Sequence, residues 1–463
     1  MSLNAVLSRI DANLNDSLDR LFELIRIKSI STDAAYDADC RAAADWCAAE
    51  LSAIGIAAEP RKTIGKPMVV GHRKDDGAKG PHVLFYGHYD VQPVDPVELW
   101  NTDPFEPQLV ARDDGSRMIV ARGSADDKGQ LMTFVEAARA WIEETGSLPI
   151  PVTVMLEGEE ESGSKSVAPF LAENTEELKA DLALICDTSM WDRETPAIST
   201  MLRGLTSDEV TIKAANMDLH SGMFGSAARN PIHVLTKILA GLHDDNGRVT
   251  LPGFYEGVPE LPDDISAMWD DLGFDGAAFL KEIGLSVPAG EKDRSVLEQI
   301  WSRPTCEVNG ITGGYTGDGF KTVIPAEASA KVSFRLVGDQ DPQAIRAAFR
   351  KYVEENLPED CSAEFHAHGS GAAVTIPFDD PFLAKGKKAL EEEWAKPAAL
   401  IAMGGSIPIA TDFQKTLGMQ SLMIGFGLDD DRIHSPNEKY ELTSFHKGIR
   451  SWARLIGELA ETA

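Results

Sequence analysis

Two histidines and a set of carboxylates stand where short apolar runs end. His82-Val83-Leu84-Phe85-Tyr86 leads into Gly87-His88-Tyr89-Asp90, and Val152-Thr153-Val154-Met155-Leu156 into Glu157-Gly158-Glu159-Glu160-Glu161. Leu182-Ala183-Leu184-Ile185-Cys186 ends at Asp187, and Ser421-Leu422-Met423-Ile424 is followed by Gly425 and then Arg432-Ile433-His434-Ser435. A fifth segment, Arg122-Gly123-Ser124-Ala125-Asp126-Asp127-Lys128-Gly129, adds an acidic pair. Imidazole and carboxylate without thiolate suit catalytic zinc or manganese better than a structural zinc site. Two histidines and three carboxylates are enough for two metals if one carboxylate bridges. Asp90 is placed to accept the proton on the second ring nitrogen of a metal-bound His88, fixing its tautomer. One carboxylate beyond the metal set is needed as a general base. Taken singly these features are bland. A His-x-Asp pair is common in surface loops, a run of Glu is commonly a solvated face or helix start, and a strand-terminal Asp is often a cap. Their shared placement after apolar runs carries the weight.

Those runs read as strands buried on both faces of an α/β sheet, with helices between them. Ligands in such sheets bind beyond the carboxyl ends of the strands, so four strand ends deliver the polar residues to one edge. A helix is expected from about Gly129 to Thr145. Val6, Ile10, Leu14, Leu18, Leu21 and Ile25 recur at helical spacing, and a second helical stretch runs from about Ala38 to Ile54, closed by Gly55. The middle of the chain differs. Val210 and Ile212, and then Ala328, Ala330, Val332, Phe334 and Leu336, alternate with polar residues, as strands with one wet face do. Helices are expected from Pro231, after Asn230, and over about Pro342 to Asn356. The stretch 244–304, rich in Gly, Pro and acid, reads as a helical excursion with loops. One α/β domain, 1–204 and 379–463, is thus interrupted by a smaller α+β domain, 205–378.

The 463 residues include 74 Asp+Glu and 44 Lys+Arg, for a formal charge of −30. A surface that acidic repels phosphate backbones and anionic lipids, so neither nucleic acid nor a membrane surface is expected as a partner. The five cysteines are odd in number and form no Cys-x-x-Cys, which points to a reducing, cytoplasmic setting. No apolar run reaches the length of a membrane span, and the N-terminus reads as an amphipathic helix rather than a signal peptide.

Gly87-His88-Tyr89-Asp90-Val91-Gln92-Pro93, the Arg122–Gly129 segment, Glu159-Glu160-Glu161-Ser162-Gly163-Ser164, Asp218-Leu219-His220-Ser221-Gly222 and His434-Ser435-Pro436-Asn437-Glu438 resemble the M20 family of metallopeptidases, above all its carnosinase-like cytosolic dipeptidase branch. The motifs run in family order over nearly the whole chain. The resemblance implies a di-zinc exopeptidase-like catalytic domain, with a mixed sheet flanked by helices, and an inserted lid domain that also makes a homodimer. By motif, one metal takes His88 and Asp187, the other Glu161 and His434, and Asp126 bridges both. The metals would be two zinc ions, with manganese or cobalt as substitutes. The resemblance also implies a cis Asp126–Asp127 bond, Glu160 as general base and Asp90 as the partner of His88. His220 would reach the partner subunit's site and hydrogen-bond the developing oxyanion. Arg335, His368 and the Gly404-Gly405-Ser406 turn resemble the family's anchors for the substrate carboxylate. Asp at position 187 is the family's choice for free-amine substrates such as dipeptides. The chain departs from the dipeptidase branch at Met403, Ser189 and Ser226, so an N-acyl-amino-acid deacylase of the acetylornithine deacetylase or succinyl-diaminopimelate desuccinylase kind stands as the alternative.

Overall fold

The computed structural model describes residues 3–405 and 407–461. The chain divides into two compact units. One comprises Met1–Thr200, Ile376–Ile401 and Asp412–Ala463, the other Met201–Thr375 and Ala402–Thr411. The sequence reading assigns the whole return of the chain after 378 to the first domain, whereas residues 402–411 group with the second unit. Hydrogen bonds account for this. The Arg203 amide donates to the Gly405 carbonyl at 3.2 Å, Arg203 Nε to the Gly404 carbonyl at 3.1 Å, and Thr411 Oγ1 to the Ala372 carbonyl at 3.3 Å.

The large sheet follows the strand order Ala57–Arg61, Met68–Arg73, Val152–Glu157, Val83–His88, Leu182–Ile185, Gln420–Met423, Ala197–Leu202, Val374–Thr375, with Ala399–Met403 paired to Ala197–Leu202. The four strands expected from the apolar runs lie side by side within it, and each pairs with its neighbour in parallel. Val83–His88, Val152–Glu157 and Leu182–Ile185 are buried along their whole length, so they read as unbroken hydrophobic runs. Antiparallel strands flank this parallel centre, which makes the sheet mixed. The helix Lys128–Thr145 packs on Val83–His88 and against the last helix, Leu442–Ala460. Phe85 stacks on Phe134 at 3.9 Å, and Trp452 meets both rings edge-on at 5.8 and 5.7 Å. Each such ring contributes about 1.5–3 kcal/mol by burial.

The N-terminal periodicity resolves into two helices, Leu3–Ala12 and Leu14–Arg26. Asn13 leaves the helical region between them, at φ −104° and ψ 14°, and its side chain makes no capping hydrogen bond to the second helix. The second helix ends on Lys128, whose Nζ donates to the carbonyls of Leu24 at 3.1 Å and Ile27 at 2.6 Å. An ammonium thus adds a second donor to two carbonyls at the helix end, which the amides of Ile27 and Ser29 also reach, and burial pushes Lys128 down to about 8. A small sheet of Gln108–Ala111, Arg117–Val120 and Lys439–Glu441, absent from the sequence reading, sets residue 438 beside residue 121.

The second unit is built on an antiparallel sheet in the order Thr305–Gly313, Glu327–Leu336, Gly204–Lys213, Ser362–Gly371. The two central strands alternate buried and part-exposed residues, as their period-two pattern requires. The helices Pro231–Ala240 and Pro342–Glu355 pack on this sheet and close a core that includes Val210, Ile212, Leu235, Val332, Phe334 and Phe349. Asn230 and Asp341 cap these helices by accepting from Ile232 N and Gln343 N. The 244–304 excursion carries three short helices, Asp263–Asp271, Gly276–Glu282 and Val296–Trp301. The described cysteines are all free, and no helix of the described residues is long and apolar enough to cross a membrane.

Candidate metal centre

At the carboxyl ends of the parallel strands, His88, Asp126 and Asp187 form one cluster, and Asp126, Glu161 and His434 a second, with ligand atoms inside each cluster within 4.8 Å of one another. Asp126 belongs to both. Its Oδ1 lies 3.1 Å from His88 Nε2, and its Oδ2 lies 3.0 Å from His434 Nε2. His434 Nε2 is also 3.2 Å from Glu161 Oε2, and His88 Nε2 is 3.8 Å from Asp187 Oδ2. The Asp126–Asp127 peptide bond is cis.

The ring of His88 is held from its other side as well. Its Nδ1 lies 3.1 Å from the Asp90 carbonyl and 3.3 Å from Asp90 Oδ1. The second Asp90 oxygen accepts from the Glu161 amide at 3.1 Å, so Asp90 links a residue of one cluster to a residue of the other. Glu160 opens a single helical turn, Glu160–Ser162, next to Glu161.

The electrostatics follow from crowding. Burial pushes the Asp187 carboxyl well up, and the Asp126 and Asp127 carboxylates push it further. Burial also raises Asp126, but hydrogen bonds from His434 and His88 outweigh it and hold this carboxyl below the usual range. His434 rises to about 10 because Asp126 and Glu161 accept from it. His88 is lowered by burial and raised more by Asp126 and Asp90, ending well above an ordinary histidine. Glu160 is raised by burial, against the pull of His88 and with added repulsion from Glu161, Asp126 and Asp90. Several carboxylates in so small a space need positive charge. Two imidazoles and a two-armed Asp126 facing both clusters are a donor set that fits divalent metal.

Four residues around the clusters make contacts that the sequence reading does not assign. Gln92 Nε2 donates to Glu161 Oε2 at 2.7 Å. Asp127 accepts the His88 amide at 3.0 Å. Glu438 and Arg122 pair at 2.8 Å and are both almost wholly buried. Gln92, Asp127, Arg122 and Glu438 all fall inside the motif runs. Nothing in one sequence marks Glu438 and Arg122, 316 positions apart, as partners.

The remaining residues singled out from sequence lie in the second unit. His220 is exposed, and its Nδ1 accepts from the Gly222 amide at 3.0 Å, which leaves Nε2 to carry the proton and donate. Arg335 is half-buried on Glu327–Leu336, opposite Thr305 and Leu205. It lies near Arg203, which burial and then the Arg335 charge push down to about 10. Arg203 has no place in the sequence reading. His368 is exposed. Its Nε2 lies 3.5 Å from Glu209 Oε2 and its ring 4.9 Å from that of His366, so the two rings share a face. Gly405 is exposed, and its carbonyl is taken by the Arg203 amide. Ser406 lies outside the described residues.

Known proteins match this chain over most of its length. Residues 84–458 match the model of peptidase family M20/M25/M40. The chain is 30% identical to the Cys-Gly metallodipeptidase dug1 of Schizosaccharomyces pombe, an alignment spanning 100% of this chain and 99% of that protein. It is 28% identical to the human Beta-Ala-His dipeptidase over 85% of this chain and 78% of the relative. Among solved structures, the M20 family metallo-carboxypeptidase Sso-CP2 from Sulfolobus solfataricus superposes with a TM-score of 0.79 at 29% identity, covering 96% of this chain and 99% of that one. A match over most of the chain, carried by relatives that are themselves metallopeptidases, makes this chain a member of peptidase family M20/M25/M40.

Proposed function

We propose that this protein hydrolyses the amide bond of dipeptides, with two zinc ions held by the two clusters. The observation that carries the reading is Asp126, which offers one carboxylate oxygen to each histidine. His88 and Asp187 would hold one ion, Glu161 and His434 the other, and Asp126 both. Manganese or cobalt would serve the same donor set. When bound, such a pair of ions supplies a hydroxide nucleophile near neutral pH and polarises the scissile carbonyl. Glu160 accepts the proton of the attacking water and returns it to the leaving amine, a task suited to a carboxyl raised by burial. Asp90 holds the His88 ring and its tautomer from behind.

By the same resemblance, His220 of one subunit would donate from Nε2 to the oxyanion developing in the partner subunit's site, and Arg335, His368, Gly405 and Ser406 would receive the substrate carboxylate. The first unit is then the catalytic domain and the second the lid and dimerisation domain of a cytoplasmic homodimer. Exposed Met223, Phe224, Val308, Ile311 and Phe320 of the second unit support a self-association surface. A dipeptide substrate is favoured over an N-acyl amino acid because the relatives are named as dipeptidases, Cys-Gly and Beta-Ala-His dipeptidase among them.

Zinc- or manganese-loaded protein should hydrolyse Ala-Leu at least about tenfold faster than N-acetyl-leucine at matched concentration, about 1.4 kcal/mol in transition-state binding. The two share the leucine carboxylate and differ in the free amine. Preference for the acylated compound would overturn the dipeptidase reading in favour of a deacylase.

A further inference from the structure

The loop that carries Asp126 and the loop that carries His434 are joined by one side chain. Glu438 is fully buried. Its Oε1 accepts from the amides of Ala125 at 2.8 Å and Asp126 at 3.1 Å. Its Oε2 accepts from the amide of Gly123 at 2.9 Å and from Arg122 Nη1 at 2.8 Å. Two donors therefore point at each arm. The Glu438 carbonyl also accepts from the Ala121 amide at 3.1 Å, which extends the small sheet up to the clamp. Arg122 is fixed in turn, with Nη2 on the Pro93 carbonyl at 3.0 Å and its guanidinium 5.5 Å from the Trp100 ring centre. Beside Glu438, Asn437 accepts from Asn101 N at 2.7 Å and donates to the Leu99 carbonyl at 2.8 Å.

We infer that Glu438 is a positioning residue for the metal centre, clamping the Asp126 segment to the His434 segment so that both reach the site preformed. This rests on the metal-dependent reading of the two clusters. The chemistry is specific to a carboxylate. A glutamine of the same shape accepts on one arm only, and its amide NH₂ would face two donors on the other. An alanine would leave four buried donors without acceptors. Shape alone does not explain the residue, because the isosteric change keeps the volume and loses the clamp. Asp126 gives an oxygen to each cluster, so the loss reaches both. The cluster with His434 loses the position of two of its ligands and suffers most.

The test is metal affinity, measured by competition with a chromophoric zinc chelator, for wild type, Glu438→Gln and Arg122→Lys. Partners that orient metal ligands are worth about 10–100-fold in affinity. Glu438→Gln should bind its weaker zinc at least about tenfold less tightly. Arg122→Lys, which leaves the three backbone donors on Glu438, should stay within about threefold of wild type. Wild-type affinity and stoichiometry in a folded Glu438→Gln protein would overturn the inference. Failure of the wild type itself to bind zinc would instead overturn the reading on which it rests.

Should Glu438→Gln not fold, hydrogen exchange on the metal-free wild type decides. Amides of Gly123, Ala125 and Asp126 that exchange as slowly as those of the central strands support a preformed clamp. Exchange at the rate of exposed loop amides contradicts it.

Discussion

In the first unit, His88 is fully buried and met on both ring nitrogens by oxygens of Asp90, Asp126 and Asp187. In the second, His220 is exposed, and among the described residues its ring takes one hydrogen bond, from an amide two residues away. The same side chain stands in two environments, and the roles we propose for it differ accordingly. A group that must hold a metal gains from being fixed before the ligand arrives, since every degree of freedom lost in advance is one not lost on binding. A group that must meet a substrate gains from accessible donors, which Nε2 of His220 and the guanidinium of half-buried Arg335 retain.

The contrast is broken most severely through Glu160. Glu160→Gln should lower kcat by about 10²–10⁴-fold, the usual worth of general acid–base catalysis, while zinc affinity stays at the wild-type value. A parallel loss of zinc would place Glu160 among the ligands rather than beside them. Only the ionised form of Glu160 accepts a proton, so kcat/KM should fall on the acid side of the profile as this carboxyl, which burial raises, becomes protonated. A profile flat down to pH 4 would contradict the assignment.

His220→Ala should cost about 10²–10³-fold in kcat, as loss of one oxyanion donor does. Zinc affinity should not change, and melting temperature should fall only slightly, because the exposed ring supports no core and caps the single turn Ser221–Phe224. Altered metal binding would erase the distinction between the two histidines.

A third change probes the scaffold of the first unit. Glu136 is buried at the helix Lys128–Thr145, where Ser17 donates to it at 2.7 Å and Arg20 and Arg139 pair with it. Burial raises this carboxyl, but these partners outweigh it and hold it below its usual value. Its stabilising contribution is therefore complete above about pH 4.3, the unfolded value, and is lost as pH falls through the lower folded one. Glu136→Gln should cost about 1.5–3 kcal/mol in urea unfolding at pH 7 and leave zinc affinity alone.

Smallest is the effect expected at the substrate anchor. Arg335→Met should raise KM for Ala-Leu about tenfold, or about 1.4 kcal/mol, with a much smaller change for Ala-leucinamide, which has no carboxylate. Equal losses for both would remove the carboxylate role.

Much of this arrangement was legible in the chain. The four parallel strands announce themselves because a strand buried on both faces has no polar alternation to blur it, and the residues that follow them come together for the same topological reason. His88, Glu161, Asp187 and His434 are the polar punctuation of that pattern, while Asp126 comes from a separate segment, after a strand of the small sheet. The break at Asn13 was not legible, because the apolar spacing from Val6 to Ile25 continues across it. The grouping of 402–411 with the second unit depends on Arg203, whose hydrogen bonds to Gly404 and Gly405 join positions some 200 residues apart. Glu438 and Arg122 were hidden likewise. A buried ion pair between distant segments leaves no local trace in composition or period.

The most direct measurement of the central claim is to strip the protein with a chelator and titrate zinc back while following Ala-Leu hydrolysis. Turnover should vanish in the stripped protein and return with added zinc, saturating near two equivalents per chain. Hydrolysis that persists at its full rate after stripping, or a stripped protein that zinc binds to but never activates, would contradict the account.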